Sequence, residues 1–215
     1  MDFALLKHAG FCFQGEKIVY FDPFRITSER KDADVVFISH EHFDHCDPPS
    51  LKNVICEKTT IVCPPDCVSR LRGLQFKEVF PVEPGQLRTI VGIPVQTVPA
   101  YNVNKFRAPG QPFHPHENGW VGYIVTLQGK RVYHTGDTDI IPEFKSIQNI
   151  DLALVPVSGT YVMTPEEAAT AVQMFKPKIA VPMHYDEIVG TVADAEKFKR
   201  LLEGKVNVQI LQPRG

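Results

Sequence analysis

Four side chains able to bind a metal fall within the stretch Ser39-His40-Glu41-His42-Phe43-Asp44-His45: His40, His42, Asp44 and His45. Three imidazoles and a carboxylate this close are costly as plain structural residues. Each imidazole needs polar partners, and in a cluster it loses both charge and solvation. Such clusters mark metal or catalytic sites. His40 and His42, two positions apart, face one way on extended backbone. Asp44 and His45, after a turn, reach a second point nearby. The layout suits two cations rather than one. An aspartate can bridge such a pair with its two oxygens, and two metals ~3.5–4 Å apart can hold one hydroxide between them. Water bound to a metal ionises near pH ~7, so it becomes a nucleophile at neutral pH. The expected reaction is hydrolysis of a lactone, ester or phosphodiester in a small molecule. Asp44 or a water moves the proton, and Asp137 is the second catalytic carboxylate.

The elements that must position these groups are legible as apolar runs. Val35-Val36-Phe37-Ile38 reads as a buried strand that ends at the cluster. Two further apolar strands, Arg131–Thr135 and Ile179–Met183, run into Asp137 and His184. Sheet enzymes gather their sites at such carboxyl ends, so Asp137 and His184 are natural partners of the cluster. Phe11 to Phe24 reads as a hairpin turned at Gly15. It ends in Asp22-Pro23, where an acid can orient a ligand histidine. Short helices are expected over Pro48–Leu51 and Pro65–Arg72. Strands are expected at Thr60–Cys63, Glu78–Pro81, Leu87–Val91, Pro94–Ala100, Trp120–Leu127 and Ile150–Val157. Thr164, Pro165 and Glu167 form a capping box that opens a helix ending before Pro177. A last helix over Ala193–Glu203 and a strand over Val206–Leu211 close the chain. The segment Val103–Asn118, rich in proline and holding His114 and His116, reads as an ordered active-site loop.

Composition narrows the class. The 215 residues carry 43% hydrophobic and 22% charged side chains with a net charge of −2, ordinary for a globular protein. One domain spanning residues 1–215 is expected. A pI near 6.4 gives no basic footprint for nucleic acid. No stretch spans a membrane, and Met1–His8 lacks the features of a signal peptide. Five cysteines without framework spacing point to reduced thiols and a cytoplasmic setting. The expected partner is a small molecule, anionic if Arg107 or Lys105 meets it. Homo-oligomer formation stays open.

At this point the chain resembles the metallo-β-lactamase superfamily. The carriers are His40-x-His42-x-Asp44-His45, Gly136-Asp137-Thr138 and Pro182-Met183-His184-Tyr185. More narrowly it is similar to the branch of compact metal-dependent hydrolases that includes L-ascorbate 6-phosphate lactonase. That likeness rests on His8-Ala9, Asp22-Pro23-Phe24, Gly159-Thr160-Tyr161 and Thr164 to Ala169. The resemblance implies an α/β fold, a four-layer αββα sandwich of two mixed β-sheets flanked by helices, with the metals at one rim. It implies two divalent ions, zinc first, with manganese, nickel or iron as alternatives. His40 and His42 would hold metal 1; Asp44, His45 and His184 would hold metal 2; Asp137 would bridge. His8 and Asp22 would support the ligands. The family's third histidine on metal 1 is missing, because its place reads Pro99-Ala100-Tyr101-Asn102. His114 is the favoured substitute, with His116, Asn102 or water as alternatives. Tyr101, Asn102, Tyr161 and Tyr185 are candidates for substrate contact or for packing of the loops. His134 is expected to pack rather than ligate. Two rival readings remain: a mononuclear iron redox enzyme on the same ligands, and an RNA-processing relative.

Overall fold

In the computed structural model, which describes residues 1–214, two large mixed sheets pack face to face with helices outside. The first sheet runs in sequence order: β1 (Asp2–Leu5), β2 (Phe11–Gln14), β3 (Val19–Phe21), β4 (Val35–Phe37), β5 (Thr60–Cys63) and β6 (Glu78–Pro81). Its β1–β3 meander is antiparallel and its β3–β6 half parallel. The second sheet contains β7 (Leu87–Ile90), β8 (Ile93–Pro99), β11 (Val121–Leu127), β12 (Lys130–His134), β13 (Leu152–Pro156), β14 (Ile179–Met183) and β15 (Asn207–Val208). Its order is β15-β14-β13-β12-β11-β8-β7, parallel from β12 to β15 and antiparallel elsewhere. The helices are α1 (Pro48–Val54), α2 (Pro165–Phe175) and α3 (Val192–Leu201). This is the expected αββα sandwich.

Period-two patterning explains why the strands are apolar throughout. Phe11, Phe13, Val19, Phe21, Val35 and Phe37 point inward to Val95, Tyr123, Val125, Val132, Leu154 and Val181 of the facing sheet. The residues between them, Cys12, Tyr20, Val36 and Ile38, point outward beneath α1, with Leu51 and Val54. On the other side Tyr133, Ala153, Val155 and Ala180 meet α2 and α3 through Ala168, Val172, Ala195 and Phe198. Strands covered on both faces cannot alternate apolar with polar.

Several elements differ from the sequence expectation. Asp2–Leu5 adds an unforeseen edge strand to β2. Pro65–Leu71 is a 3₁₀ segment rather than an α-helix. The expected loop over 103–118 contains a small ribbon of β9 (Phe106–Ala108) and β10 (Gln111–Pro112). It turns at Gly110, whose φ of 72° suits glycine. The closing strand shrinks to Asn207–Val208 because β14 pairs only with those two residues. The capping box on α2 is present as expected, Thr164 and Glu167 each bonding the other's backbone.

Candidate metal centre

The strand ends deliver their polar groups to one rim. β4 leads to His40–His45, β12 to Asp137, β14 to His184, β3 to Asp22 and β1 to His8. Asn102 follows β8, and the ribbon loop returns His114 to it. His8, Asp22 and His184 all take left-handed backbone, with φ of 57°, 39° and 62°. Gly136 also has positive φ. A Cβ there would sit 2.9 Å from the Val121 carbonyl oxygen, so the Asp137 turn requires glycine.

Four histidines are held in the same manner. Asp22 accepts from Ser39 N–H at 2.7 Å, from Ser39 Oγ–H at 2.6 Å and from His45 Nδ1–H at 2.7 Å. Ser39 has one proton, and Asp22 takes it, so His40 Nδ1–H donates to Ser39 Oγ at 2.9 Å. His114 Nδ1–H donates to Asn102 Oδ1 at 2.9 Å, and the His114 backbone N–H does so at 2.8 Å. His184 Nδ1 bonds Ser158 Oγ at 3.0 Å. Each Nδ1 is thus engaged, and each Nε2 is left to point inward.

They converge on Asp137. His184 Nε2 and His114 Nε2 lie 3.0 and 3.2 Å from its Oδ2, and His45 Nε2 lies 3.3 Å from its Oδ1. None of these three nitrogens has a hydrogen-bond partner, and neither does Asp137 Oδ1, although all are buried. Donors ~2.0–2.1 Å from one tetrahedral cation sit about 3.3 Å from each other. The spacing is therefore that of ligand atoms around a common point, not of bonded pairs. Three compact groups result: His40, His42 and His114; His8, Asp44, His45 and His184; and His40, His45 and Asp137, which shares a member with each of the others. His40 Nε2 and His42 Nδ1 stand 3.1 Å apart, and Asp137 lies beside the first two groups. The donor set fits divalent metal.

The electrostatics agree. Burial, and in addition the imidazole of His184 for His8 and of His114 for His42, pushes the His8 and His42 pKa values down to about 4. His40 is held well below its ordinary value by burial and by His45. These imidazoles are neutral and ready to ligate at neutral pH. Burial opposes ionisation of Asp137, but His184 and His45 outweigh it and hold its pKa well below the carboxylate range. Burial likewise opposes ionisation of Asp44, and His45 and His8 reverse it. Burial opposes a charged His45, yet the carboxylates of Asp137, Asp44 and Asp22 raise its pKa well above normal. The three carboxylates thus concentrate negative charge around His45 at the centre.

Not every predicted site residue comes to the centre. His8 Nε2 bonds Asp44 Oδ2 at 3.1 Å, so it supports a carboxylate and also sits among the second donor group. His116 does not join the ligands; its ring lies 4.5 Å edge-on from Tyr101, whose hydroxyl donates to Glu143. Tyr185 is buried in the apolar layer under α2 and α3 rather than facing the site. His8 thus has the supporting place expected of it, whereas His116 and Tyr185 are corrected: one packs against Tyr101 and the other lies in the apolar layer, away from the cleft. Tyr161 lines the cleft, with His42, Asp44, His114 and Asp137 at its base. His134 packs, donating from Nε2 to Ala9 O at 2.9 Å and accepting Gly136 N–H at 3.2 Å.

Sequence reading missed three contributors. Ser39 and Ser158 carry the second-nitrogen bonds, and their position just past a strand was the available signal. Trp120, the single tryptophan, lies 4.9 Å from His40 and 4.7 Å from His42 ring to ring. No motif announced it.

Comparison with known proteins agrees with this geometry. The family model described as a beta-lactamase superfamily domain matches residues 3–184. The UPF0173 metal-dependent hydrolase of Thermococcus kodakarensis is 33% identical, over 97% of this chain and 95% of its own length. The crystal structure of a metal-dependent hydrolase from Parabacteroides distasonis superposes with a TM-score of 0.81 at 29% identity, covering 99% of this chain and 93% of that one. Igni18, a metallo hydrolase from Ignicoccus hospitalis, shares the fold with a TM-score of 0.78 at 22% identity, covering 99% and 95% of the two chains. With the family model matching most of its length and relatives of this identity aligned nearly end to end, the chain belongs to the metallo-β-lactamase superfamily and stands among its metal-dependent hydrolases.

Proposed function

We propose that residues 1–215 act as one hydrolase domain that cleaves a lactone, ester or phosphodiester in a small molecule, with a dinuclear metal centre. One observation carries the reading: three histidines, His45, His114 and His184, each fixed through Nδ1, aim unpartnered Nε2 atoms at a single buried aspartate. His40, His42 and His114 would hold one ion, and Asp44, His45 and His184 the other, with Asp137 between them. Zinc suits this mixture of imidazole and carboxylate, as manganese, nickel or iron also can. Such ions, when bound, acidify water and polarise the carbonyl or phosphoryl group under attack.

The remaining work belongs to the chain. Asp22, Ser39, Asn102 and Ser158 fix the tautomer and aim of the imidazoles, which raises their value as ligands. Asp44, at the base of the cleft and tethered by His8, is placed to take a proton from the attacking water. Asn102 also donates from Nδ2 to Tyr161 O at 2.9 Å, tying the His114 ligand loop to the cleft wall. Among the described residues no helix is long and apolar enough to cross a membrane. The five cysteines are free thiols, which supports a reducing, cytoplasmic setting.

Metal content tests the reading. Protein purified without added metal is measured by mass spectrometry, as wild type and as His114→Ala. About two zinc or manganese ions per chain, falling toward one in the variant, is the expected result, followed by turnover of lactones or phosphodiesters. A single iron per chain that the substitution leaves in place would overturn both the dinuclear centre and the place of His114 in it.

A further inference from the structure

Above the ligands opens a cleft of about 470 Å³ whose walls are Phe43, Phe113, Tyr161 and Ile188. That volume falls within the range of about 300–1,000 Å³ common for small-molecule sites. Phe43 stands next to Asp44 in the chain and is 61% exposed. Exposing a large aromatic side chain beside a catalytic centre forgoes its burial energy, which ligand contact restores. Phe113 is braced edge-on against Tyr161 at 4.8 Å. This is a surface for an apolar body, unlike the hydroxyl-rich lining that a sugar would require.

One cation lines that cleft apart from the two histidines at its base: Arg107, on β9 of the ribbon. Its guanidinium lies 5.7 Å over the Phe113 ring, and Nη2 reaches Phe113 O at 3.4 Å. Among the described residues Arg107 makes no ion pair. Lys105, two residues away, is already committed, with Nζ 2.7 Å from Glu167 and 3.6 Å from Asp139. Arg107 and Phe113 also border a second basin of about 460 Å³ that reaches His42 from the other side. The guanidinium is therefore exposed, borders both lobes and makes no ion pair, while Glu41 and Glu117 line the second lobe.

We propose that the substrate combines an apolar body, seated on Phe43, Phe113, Tyr161 and Ile188, with one carboxylate or phosphate that Arg107 reads. This deepens the hydrolase reading and rests on it. A planar guanidinium accepts either anion in a two-pronged arrangement, so the group itself is left to the test.

Zinc-loaded wild type, Arg107→Gln and Arg107→Lys are titrated by calorimetry with 4-phenylbutyrate, 4-phenylbutyl phosphate and 4-phenylbutanol. The wild type is expected to bind an anionic probe at least about tenfold tighter than the alcohol, the effect of one charge-assisted hydrogen bond. Arg107→Gln closes most of that gap and Arg107→Lys retains part of it. The tighter of the two anions identifies the group. Equal binding of all three probes, no binding of any, or a gap that survives Arg107→Gln overturns the proposal. In parallel, 4-nitrophenyl hexanoate and 4-nitrophenyl hydrogen adipate are offered as substrates. If the probes behave as expected while neither ester turns over, the cleft assignment stands and the ester reading falls. If the hexanoate ester is cleaved with no preference for the adipate in any variant, hydrolysis stands and the role of Arg107 falls.

Discussion

Asp22→Asn changes a single atom type, yet it reverses a hydrogen bond that fixes His45, a proposed metal ligand. One carboxylate oxygen accepts the Ser39 N–H; the other accepts both Ser39 Oγ–H and His45 Nδ1–H. An asparagine must keep its carbonyl oxygen facing the Ser39 N–H, because two donors cannot meet there. Its NH2 then occupies the second position and donates. His45 Nδ1 must become the acceptor, which moves the imidazole proton to Nε2, the atom 3.3 Å from Asp137. The ligand lone pair is thereby blocked. Losing such a partner typically costs 10–100-fold in metal affinity, or about 1.4–2.7 kcal/mol. The backbone does not confuse the result, since asparagine tolerates the left-handed φ of 39° at this site. Zinc affinity is read by competition against a coloured chelator. Thermal unfolding with chelator present reports the fold separately. A variant that folds as the wild type does and binds zinc with unchanged affinity would refute the tautomer argument.

Gly136→Ala would place a Cβ 2.9 Å from the Val121 carbonyl and 3.2 Å from Ser39 Cβ on left-handed backbone. A loss of about 1–3 kcal/mol in chemical denaturation is expected, and an unchanged midpoint would show that the Asp137 turn is pliable. Glu187 bonds Lys7 at 2.8 Å and Arg25 at 2.9 Å, joining the loop after His184 to those bearing His8 and Asp22. Burial opposes its ionisation, but Lys7 and Arg25 prevail and lower its pKa. Its contribution is thus present above the unfolded value near ~4.3 and lost as pH falls through the folded one. Glu187→Gln should lower stability at pH 7 by no more than about 1 kcal/mol, and the deficit should vanish in acid; a deficit independent of pH would assign it to packing. Trp120, the sole tryptophan, lies against His40 and His42, so adding zinc to chelator-stripped protein should shift its emission. The shift should saturate with metal content, and an emission that ignores zinc would separate Trp120 from the ligands.

How much of this was legible in sequence depends on range. His40 to His45 are neighbours in the chain, so spacing alone placed them beyond a strand. Asp137 and His184 needed only the rule that strands in one sheet end together. His114 was harder. Its partner Asn102 lies twelve residues back, and the bond between them forms only because the ribbon at 106–112 folds the loop over. Residues near a strand-like Pro and Gly pattern gave no hint of β9 and β10, since two- and three-residue strands are too short for periodicity. His116, the alternative to the favoured His114, is not a donor at the centre, because the 3₁₀ turn His116–Asn118 carries its ring toward Tyr101. Tyr185 follows a ligand directly but faces the opposite layer. β14 ends at Met183, and the left-handed turn at His184 (φ 62°) redirects the chain so that Tyr185 enters the apolar layer.

The site is also the part of the molecule that folds least willingly. Non-glycine residues in left-handed backbone cost of order 1–3 kcal/mol each, and His8, Asp22 and His184 all pay it at one rim. The same rim buries two carboxylates without full partners and several unpartnered ring nitrogens. Two ties hold the strained turns to each other: His184 N–H donates to His8 O at 2.9 Å, and His134 spans from Ala9 O to the Gly136 N–H. These local ties act together with the packing between the sheets. Phe21 and Phe37, stacked 5.1 Å apart between the layers, sit at the ends of the two strands that launch Asp22 and the His40 cluster. Burying each contributes roughly 1.5–3 kcal/mol, comparable to the strain of the turn that follows. Packed between the layers, these two rings brace the strand ends from which the Asp22 turn and the His40 cluster leave.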